Sequence, residues 1–91
     1  DDVSKALSEF HHVVYESYTD SLAGFLSRSI SIADSVRDKK DTVEGMSHKV
    51  ESSCNTLPME TAQNLISVIS LMTRIYDHSV DISDLTTPKA Q

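Results

Sequence analysis

The sequence predicts an all-helical protein, built as an antiparallel up-down-up bundle of three long helices. Only two Gly and two Pro interrupt its 91 residues, and such a scarcity of turn-forming residues favours long helices with short connections. Apolar residues also recur at spacings of three and four along most of the chain, which is the period of an amphipathic helix. Helices joined by short turns lie antiparallel to their neighbours in the chain.

The first helix is predicted over residues 3–27. Asp1 and Asp2 lie where the positive end of its dipole favours acidic residues. A polar turn follows at residues 27–29, and Ser29 or Ser31 is expected to cap the second helix through its hydroxyl. The predicted apolar face is wide and comprises Val3, Ala6, Leu7, Phe10, Val13, Val14, Tyr18, Leu22, Phe25 and Leu26.

The second helix is predicted over residues 30–54. Its apolar side is narrow, because Val36, Val43 and Val50 recur every seven residues, as in a coiled coil. Lys39 and Lys40 interrupt this pattern where an apolar residue would continue it. The segment 55–58, Asn-Thr-Leu-Pro, ends the helix, since Asn tolerates a left-handed cap and Pro suits the first turn of the next helix.

The third helix is predicted over residues 58–85, followed by a frayed tail at 86–91. It carries two apolar stripes, one built on Leu65, Ile69, Met72, Tyr76 and Val80 and a second on Val68, Leu71, Ile75 and Ile82. Two partner helices cover only part of its circumference, so the second stripe is expected to be an interface. The simplest partner for that interface is another copy of the chain in a homodimer.

Composition restricts the classes of function. The net charge of −6 argues against direct binding to nucleic acid or anionic lipid, because both require clustered Lys and Arg. No apolar run approaches the length of a membrane span, so membrane insertion is not expected. A single cysteine, Cys54, cannot form an internal disulfide. These features predict one domain, residues 1–91, located in the cytoplasm.

Residues 74–84, Arg-Ile-Tyr-Asp-His-Ser-Val-Asp-Ile-Ser-Asp, carry a pattern close to E-R-I-x-D-H-A-x-N-I-A-E. This pattern resembles the last helix of PhoU domains, helical regulators of phosphate uptake. Ala33-x-x-Val36 and Val43-Glu44-x-Met46 look like the middle helix of the same domain. The resemblance covers nearly the whole chain and implies a three-helix repeat with a regulatory role. PhoU proteins proper carry two such domains in tandem, so a second PhoU-like domain is an alternative partner.

The resemblance also implies a metal site, because PhoU domains carry acidic ligands four residues apart on their second and third helices. The corresponding positions here are Lys40, Glu44, Thr73 and Asp77, so two carboxylates are absent. We therefore expect at most a weakly bound divalent metal or iron ion, held by Glu44, Asp77 and Asp81. Lys40 is expected to replace the ion by bridging to Glu44 and Asp77.

Catalysis has little support in the sequence. It contains no phosphate-binding Gly-rich loop and no nucleophile motif, and its histidines lack the spacing of a zinc site. A metal-dependent enzyme would need the complete set of carboxylates. The leading hypothesis is therefore a non-enzymatic regulatory module that contacts a phosphate transporter or its signalling partner. A structural or adaptor bundle that mediates oligomerisation, without a phosphate role, is the alternative.

Overall fold

The computed structural model describes residues 2–89, which form helices and turns and contain no strand. The helices are α1 (Asp2–Ser27), α2 (Ile30–Arg37), α3 (Lys40–Ser53) and α4 (Met59–Asp84), with a 3-10 turn at Cys54–Thr56. Taken together, α2 and α3 form the descending arm between two ascending helices. The predicted three-helix bundle is therefore confirmed, as an elongated body of 57 × 17 × 16 Å.

The prediction of one continuous middle helix over residues 30–54 is wrong, because the helix breaks at Asp38 and Lys39. The backbone N–H of Lys39 donates to the carbonyl of Val36, three residues back, at 3.3 Å. The hydroxyl of Tyr76 donates to the same carbonyl at 2.7 Å. A side chain that inserts into the hydrogen-bond ladder of a helix bends or ends it. The two lysines that interrupt the apolar pattern thus lie at a real break.

The turn between α1 and α2 uses a left-handed residue, Arg28, with φ of 58°. The N–H of Ser29 returns to the carbonyl of Gly24 at 2.9 Å, which satisfies the end of α1 in the manner of a Schellman motif. Ser29 is also the N-cap of α2, and its side chain accepts from the N–H of Ile32 at 3.2 Å. Of the two expected caps, Ser29 is the one that acts.

In the half of the bundle that contains the first part of α1, which we call the lower half, the core is formed by the predicted apolar sides of the helices. Phe10 and Val14 of α1 pack with the heptad-spaced valines of the middle arm and with α4. Fully or nearly fully buried core residues are Ala6, Phe10, Val14, Ala33, Val36, Val43, Val50, Cys54, Ile69, Met72 and Tyr76.

The upper half of α1 contradicts the predicted apolar face. Tyr18, Leu22, Phe25 and Leu26 are exposed, whereas the small residues Ser17, Ser21 and Gly24 are buried, as are Ser79 and Ser83 of α4. A Cβ atom added at Gly24 would lie 3.2 Å from Cγ2 of Ile32, so the helices approach closely here. Large side chains do not fit between such closely packed helices and lie on the outside instead.

The segment after α4, which was predicted to fray, has no regular secondary structure at residues 86–89 but contacts the rest of the bundle. Thr86 is buried, and the carbonyl of Pro88 accepts a hydrogen bond from the Arg28 guanidinium at 2.7 Å. This contact fixes the segment against the turn that follows α1. Residues 90 and 91 lie outside the described residues.

Candidate functional site: a polar cleft and an apolar face

A cleft of about 300 Å³ lies between α3 and α4. The break after α2 places Lys40 at the first position of α3, and Glu44 follows one turn later on the same side. On α4, residues 73, 77 and 81 are spaced four apart and therefore share one side of the helix. The cleft is lined by Lys40, Val43, Glu44, Thr73, Tyr76, Asp77, Val80 and Asp81.

The structure brings the predicted metal-site residues to this one cleft without gathering them into a ligand set. Within residues 2–89, no three His, Cys, Asp or Glu side chains come close enough together to hold a metal ion. The hydroxyl of Thr73 donates to the carbonyl of Ile69 at 2.9 Å, so it is engaged by its own helix. An ammonium and an engaged hydroxyl are poor substitutes for two carboxylates. The residues present therefore do not fit a multinuclear metal site.

Lys40 does not form the bridge expected from the sequence. In the described part of the chain it makes no ion pair with Glu44 or Asp77. The neighbouring Lys39 turns the other way and donates to the carboxylate of Glu16 on α1 at 2.9 Å. This hydrogen bond lowers the pKa of Glu16. The paired lysine at the break is thus Lys39, and it ties the break to α1.

Tyr76 forms the inner wall of the cleft. Its side chain is 3% exposed, and its hydroxyl reaches the carbonyl of Val36 at the end of α2. Burial raises the pKa of this hydroxyl, and the negative charges of Asp77, Asp38, Glu44 and Asp41 raise it further. The carboxylates around the cleft therefore produce a negative electrostatic potential at the buried phenol of Tyr76, which disfavours its ionised form.

Arg37 is a second residue that stabilises the break between α2 and α3. Its guanidinium donates to the carboxylate of Asp84 on α4 at 3.0 Å and also pairs with Asp34 on its own helix. Both acceptors are carboxylates, one on α2 and one on α4, so part of the acidic charge of these helices is used to hold the structure together. Asp77, Asp81 and Glu44 are left to give the cleft its negative character.

The histidines contribute no ligand group. His12 pairs with Glu16 at 3.3 Å, His48 with Glu51 at 3.9 Å and His78 with Asp81 at 3.7 Å. His11 stacks on Tyr15 with ring centroids 6.1 Å apart. Each histidine therefore interacts with a near neighbour on its own helix.

An apolar surface runs along the groove between α1 and α4, on a different side of the bundle from the cleft. Three residues of the predicted interface are exposed there: Val68 by 41%, Leu71 by 54% and Ile75 by 44%. Ile82, the fourth, is half-buried and lies beside the buried Ser79 and Ser83 on α4. We call this surface the α1–α4 face; it comprises Leu7, His11, Tyr15, Tyr18, Leu22 and Phe25 of α1 and Val68, Leu71, Ile75 and Ile82 of α4.

The α1 half of this face was missed by the sequence reasoning, which assigned Tyr18, Leu22 and Phe25 to the core. The available signal was the row of small residues Ser17, Ser21 and Gly24, which lies at helical spacing beside the large ones. A row of that kind indicates close approach of two helices.

The family-model comparison matches residues 7–86 to the PhoU domain. The chain belongs to the PhoU domain family. Comparison with curated proteins and with solved structures finds no match. The matched range begins in the first turns of α1 and ends just after α4, so it contains all three arms of the PhoU bundle. The predicted resemblance is thereby confirmed, and phosphate uptake regulation is the setting of this family.

None of the helices formed by residues 2–89 has an apolar stretch that could span a bilayer. The PhoU domain is a regulatory, non-enzymatic helical module. Two surfaces of the present domain are therefore available for a regulatory role: the polar cleft between α3 and α4, and the α1–α4 face.

Proposed function

We propose that this PhoU domain is a regulatory binding module that transmits phosphate status to a phosphate transporter or to its signalling partner. The observation that supports the proposal most strongly is the family match over residues 7–86. The module acts through protein–protein contacts and not through catalysis. Its place of action is the cytoplasm, in keeping with the free thiol of its buried Cys54.

The contacts have a physical basis in the α1–α4 face. Exposed aromatic and aliphatic side chains supply most of the binding energy in protein interfaces when they become desolvated. Several of them lie side by side here, including Tyr15 at 58% and Leu71 at 54% exposure. A second PhoU-like domain or another copy of the chain is the partner expected for this face.

The polar cleft has a subsidiary role in the proposal. Glu44, Asp77 and Asp81 line it together, and they would hold any divalent metal or iron ion only weakly, because Lys40 adds a positive charge among them. The net charge of −6 likewise opposes contact with nucleic acid. The carboxylates that line the cleft are better suited to bind basic segments of a protein partner than to bind nucleic acid.

The alternative is a structural or adaptor bundle that mediates oligomerisation and has no phosphate role. The observation in its favour is the same α1–α4 face, since burial of an exposed apolar surface can drive oligomerisation without any further function. The two functions differ in whether phosphate supply changes what the domain does.

Phosphate uptake in the native cell tests the proposal. We expect that deletion of the chain changes the uptake rate of labelled phosphate in phosphate-replete medium and that the wild-type chain restores it. Asp77→Asn combined with Asp81→Asn tests the cleft, and Asp20→Asn on α1, at a half-buried position outside the cleft, is the control. Uptake that is unchanged by the deletion, in replete and in starved cells alike, would support the adaptor function instead.

A further inference from the structure

Among the helices of residues 2–89, α2 contributes the fewest side chains to the apolar core. Its eight residues, Ile30–Arg37, bury Ala33 and Val36. Of these two, Val36 alone belongs to the core cluster, whereas α3 adds both Val43 and Val50 to it. A helix this short is not stable by itself, because it forms too few hydrogen bonds to offset the cost of its first turn. The stability of α2 therefore depends on polar contacts with its neighbours.

Side chains of α4 and α2 make polar contacts at the C-terminal end of α2. The hydroxyl of Tyr76 donates to the carbonyl of Val36 at 2.7 Å. The guanidinium of Arg37 donates to the carboxylate of Asp84 at 3.0 Å. The two side chains of this ion pair are 34% and 57% exposed, and exposed ion pairs are weak because water competes for both partners. The attachment of α2 to α4 is therefore easily broken.

The packing beside α2 leaves buried polar groups unsatisfied. Three buried hydroxyls in residues 2–89 lack a hydrogen-bond partner: those of Ser17, Ser83 and Thr86. The two on α4 lie on either side of Asp84, the partner of Arg37. The one on α1 follows Glu16, the partner of Lys39 at the break. A buried hydroxyl without a partner destabilises the closed structure, and this cost is removed when water reaches the group. Opening of α2 is therefore easier than opening of a fully satisfied segment.

The turn before α2 adds to this tendency. Arg28 has φ of 58°, a conformation that is unfavourable for a residue with a side chain. Its guanidinium donates to the carbonyl of Pro88 at 2.7 Å, which holds the strained turn in place. Unfolding of α2 relieves this strain.

The residues that follow the break are held independently of α2. Lys39 donates to the carboxylate of Glu16 on α1 at 2.9 Å, immediately before α3 begins. Further along α3, Val43 and Val50 lie in the core cluster and Met46 packs against it. The contacts of α3 with α1 therefore do not require α2 to be folded.

We propose that α2 opens by local unfolding while α1, α3 and α4 remain folded, and that this opening frees Tyr76 on the inner wall of the polar cleft. The hydrogen bond of Tyr76 ends on Val36, so it is lost in the open state. A molecule that binds the cleft with Tyr76 held in place favours the closed state, and opening of α2 weakens its binding in turn. This proposal does not depend on the phosphate role.

Amide hydrogen exchange, resolved by NMR at neutral pH, tests the proposal. The amides of residues 33–38 bond within α2 and at its end, and those of residues 46–50 bond within α3. We expect the α2 amides to exchange at least about tenfold faster than the α3 amides, each relative to its rate in an unfolded chain. Urea should accelerate exchange in α2 less than in α3, because local opening exposes little surface.

Removal of the ion pair at the end of α2 is the first variant test. Asp84→Ala should accelerate exchange several-fold more in α2 than in α3, because Arg37 loses its acceptor on α4. The matched control is Glu9→Ala, which removes the ion pair with Lys49 of α3 at 3.9 Å and should not accelerate exchange selectively in α2. Circular dichroism verifies that each variant is folded, and Asp84→Asn is a milder second variant.

Two buried serines of α4 provide a test in the opposite direction. Ser83→Ala removes an unpartnered hydroxyl, so the closed state should gain stability and exchange in α2 should become slower. Ser79→Ala is the matched control, because Ser79 is also fully buried but donates to the carbonyl of Ile75 at 2.9 Å. Exchange in α2 should not become slower in this control.

Three results would overturn the proposal. One is equal protection of the α2 and α3 amides with the same urea dependence, which would show that α2 opens only when the whole domain unfolds. Another is an equal effect of Asp84→Ala and Glu9→Ala on exchange in α2. The third is unchanged α2 exchange in Tyr76→Phe, which would show that opening does not involve the bond from Tyr76 to Val36.

Discussion

The hydroxyl of Tyr76 on α4 donates a 2.7 Å hydrogen bond to the backbone carbonyl of Val36, at the end of α2. The bond joins residues 40 positions apart and lies where the middle arm of the bundle breaks. It links the wall of the polar cleft to the position of Lys40, the first residue of α3. The geometry of the cleft therefore depends on a residue that does not itself carry a charge.

Tyr76→Phe tests this link. Loss of the hydroxyl leaves the buried Val36 carbonyl with one partner fewer, and we expect the free energy of unfolding to fall by about 0.5–1.5 kcal/mol. Chemical denaturation at neutral pH measures the change. Tyr15→Phe is the matched control, because Tyr15 is 58% exposed, and it should have almost no effect.

The raised pKa of Tyr76 predicts a second difference at alkaline pH. The folded state holds the phenolic proton more tightly than the unfolded state, whose pKa is close to 10.0. The resulting stabilisation is complete below the unfolded pKa and is lost as pH rises through the folded pKa. Wild-type stability should therefore decline above pH 10 more steeply than that of Tyr76→Phe. Parallel curves for the two proteins would contradict the burial of this hydroxyl.

The two glycines are expected to respond differently to alanine. A Cβ at Gly45 would meet nothing within 4 Å, so Gly45→Ala should raise the free energy of unfolding by about 0.5–1 kcal/mol through helix propensity. A Cβ at Gly24 would lie 3.2 Å from Ile32 and 3.4 Å from the backbone nitrogen of Ala33. Gly24→Ala should therefore raise the free energy of unfolding by less than Gly45→Ala does, or should lower it. Equal gains at both positions, measured by thermal unfolding, would show that α1 and α2 do not pack closely at Gly24.

The sequence was sufficient to predict those parts of the fold that rest on local periodicity. The three arms, the heptad-spaced valines and the exposed Val68, Leu71 and Ile75 all follow from repeats within single helices. The break at Lys39 was visible as an interruption of the apolar pattern, but its cause was not. The bond from Tyr76 to Val36 depends on two helices meeting in space, which spacing along either one does not reveal.

The upper half of α1 shows why the remaining part of the site was not predicted. Its apolar residues and its small residues form adjacent rows, and hydrophobicity alone selects the row with Tyr18, Leu22 and Phe25. Close packing of α1 against α2 and α4 selects Ser17, Ser21 and Gly24 instead. Interhelical distance, which periodicity does not specify, decides between the two rows.

Replacing Lys40 and Thr73 by acidic residues tests whether the cleft can bind a metal ion. We expect weak or no iron or zinc in the purified protein, and we expect Lys40→Asp with Thr73→Glu to create a site beside Glu44 and Asp77. Elemental analysis and metal-dependent stabilisation against heat measure the outcome. Lys5→Asp with Thr61→Glu makes the same charge change away from the cleft.

Stoichiometric metal in the unmodified protein would contradict that expectation. Glu44, Asp77 and Asp81 would then be the ligands to substitute first. Equal metal binding by the cleft variant and its control would show that added negative charge, and not the arrangement of the cleft, is responsible.

The most direct test of the regulatory account is affinity capture with the tagged chain from phosphate-replete and phosphate-starved cells, followed by identification of the bound proteins. The account predicts that a phosphate transporter or its signalling partner is recovered and that its amount differs between the two conditions. Recovery of no phosphate-related protein, or equal recovery in both conditions, would contradict it.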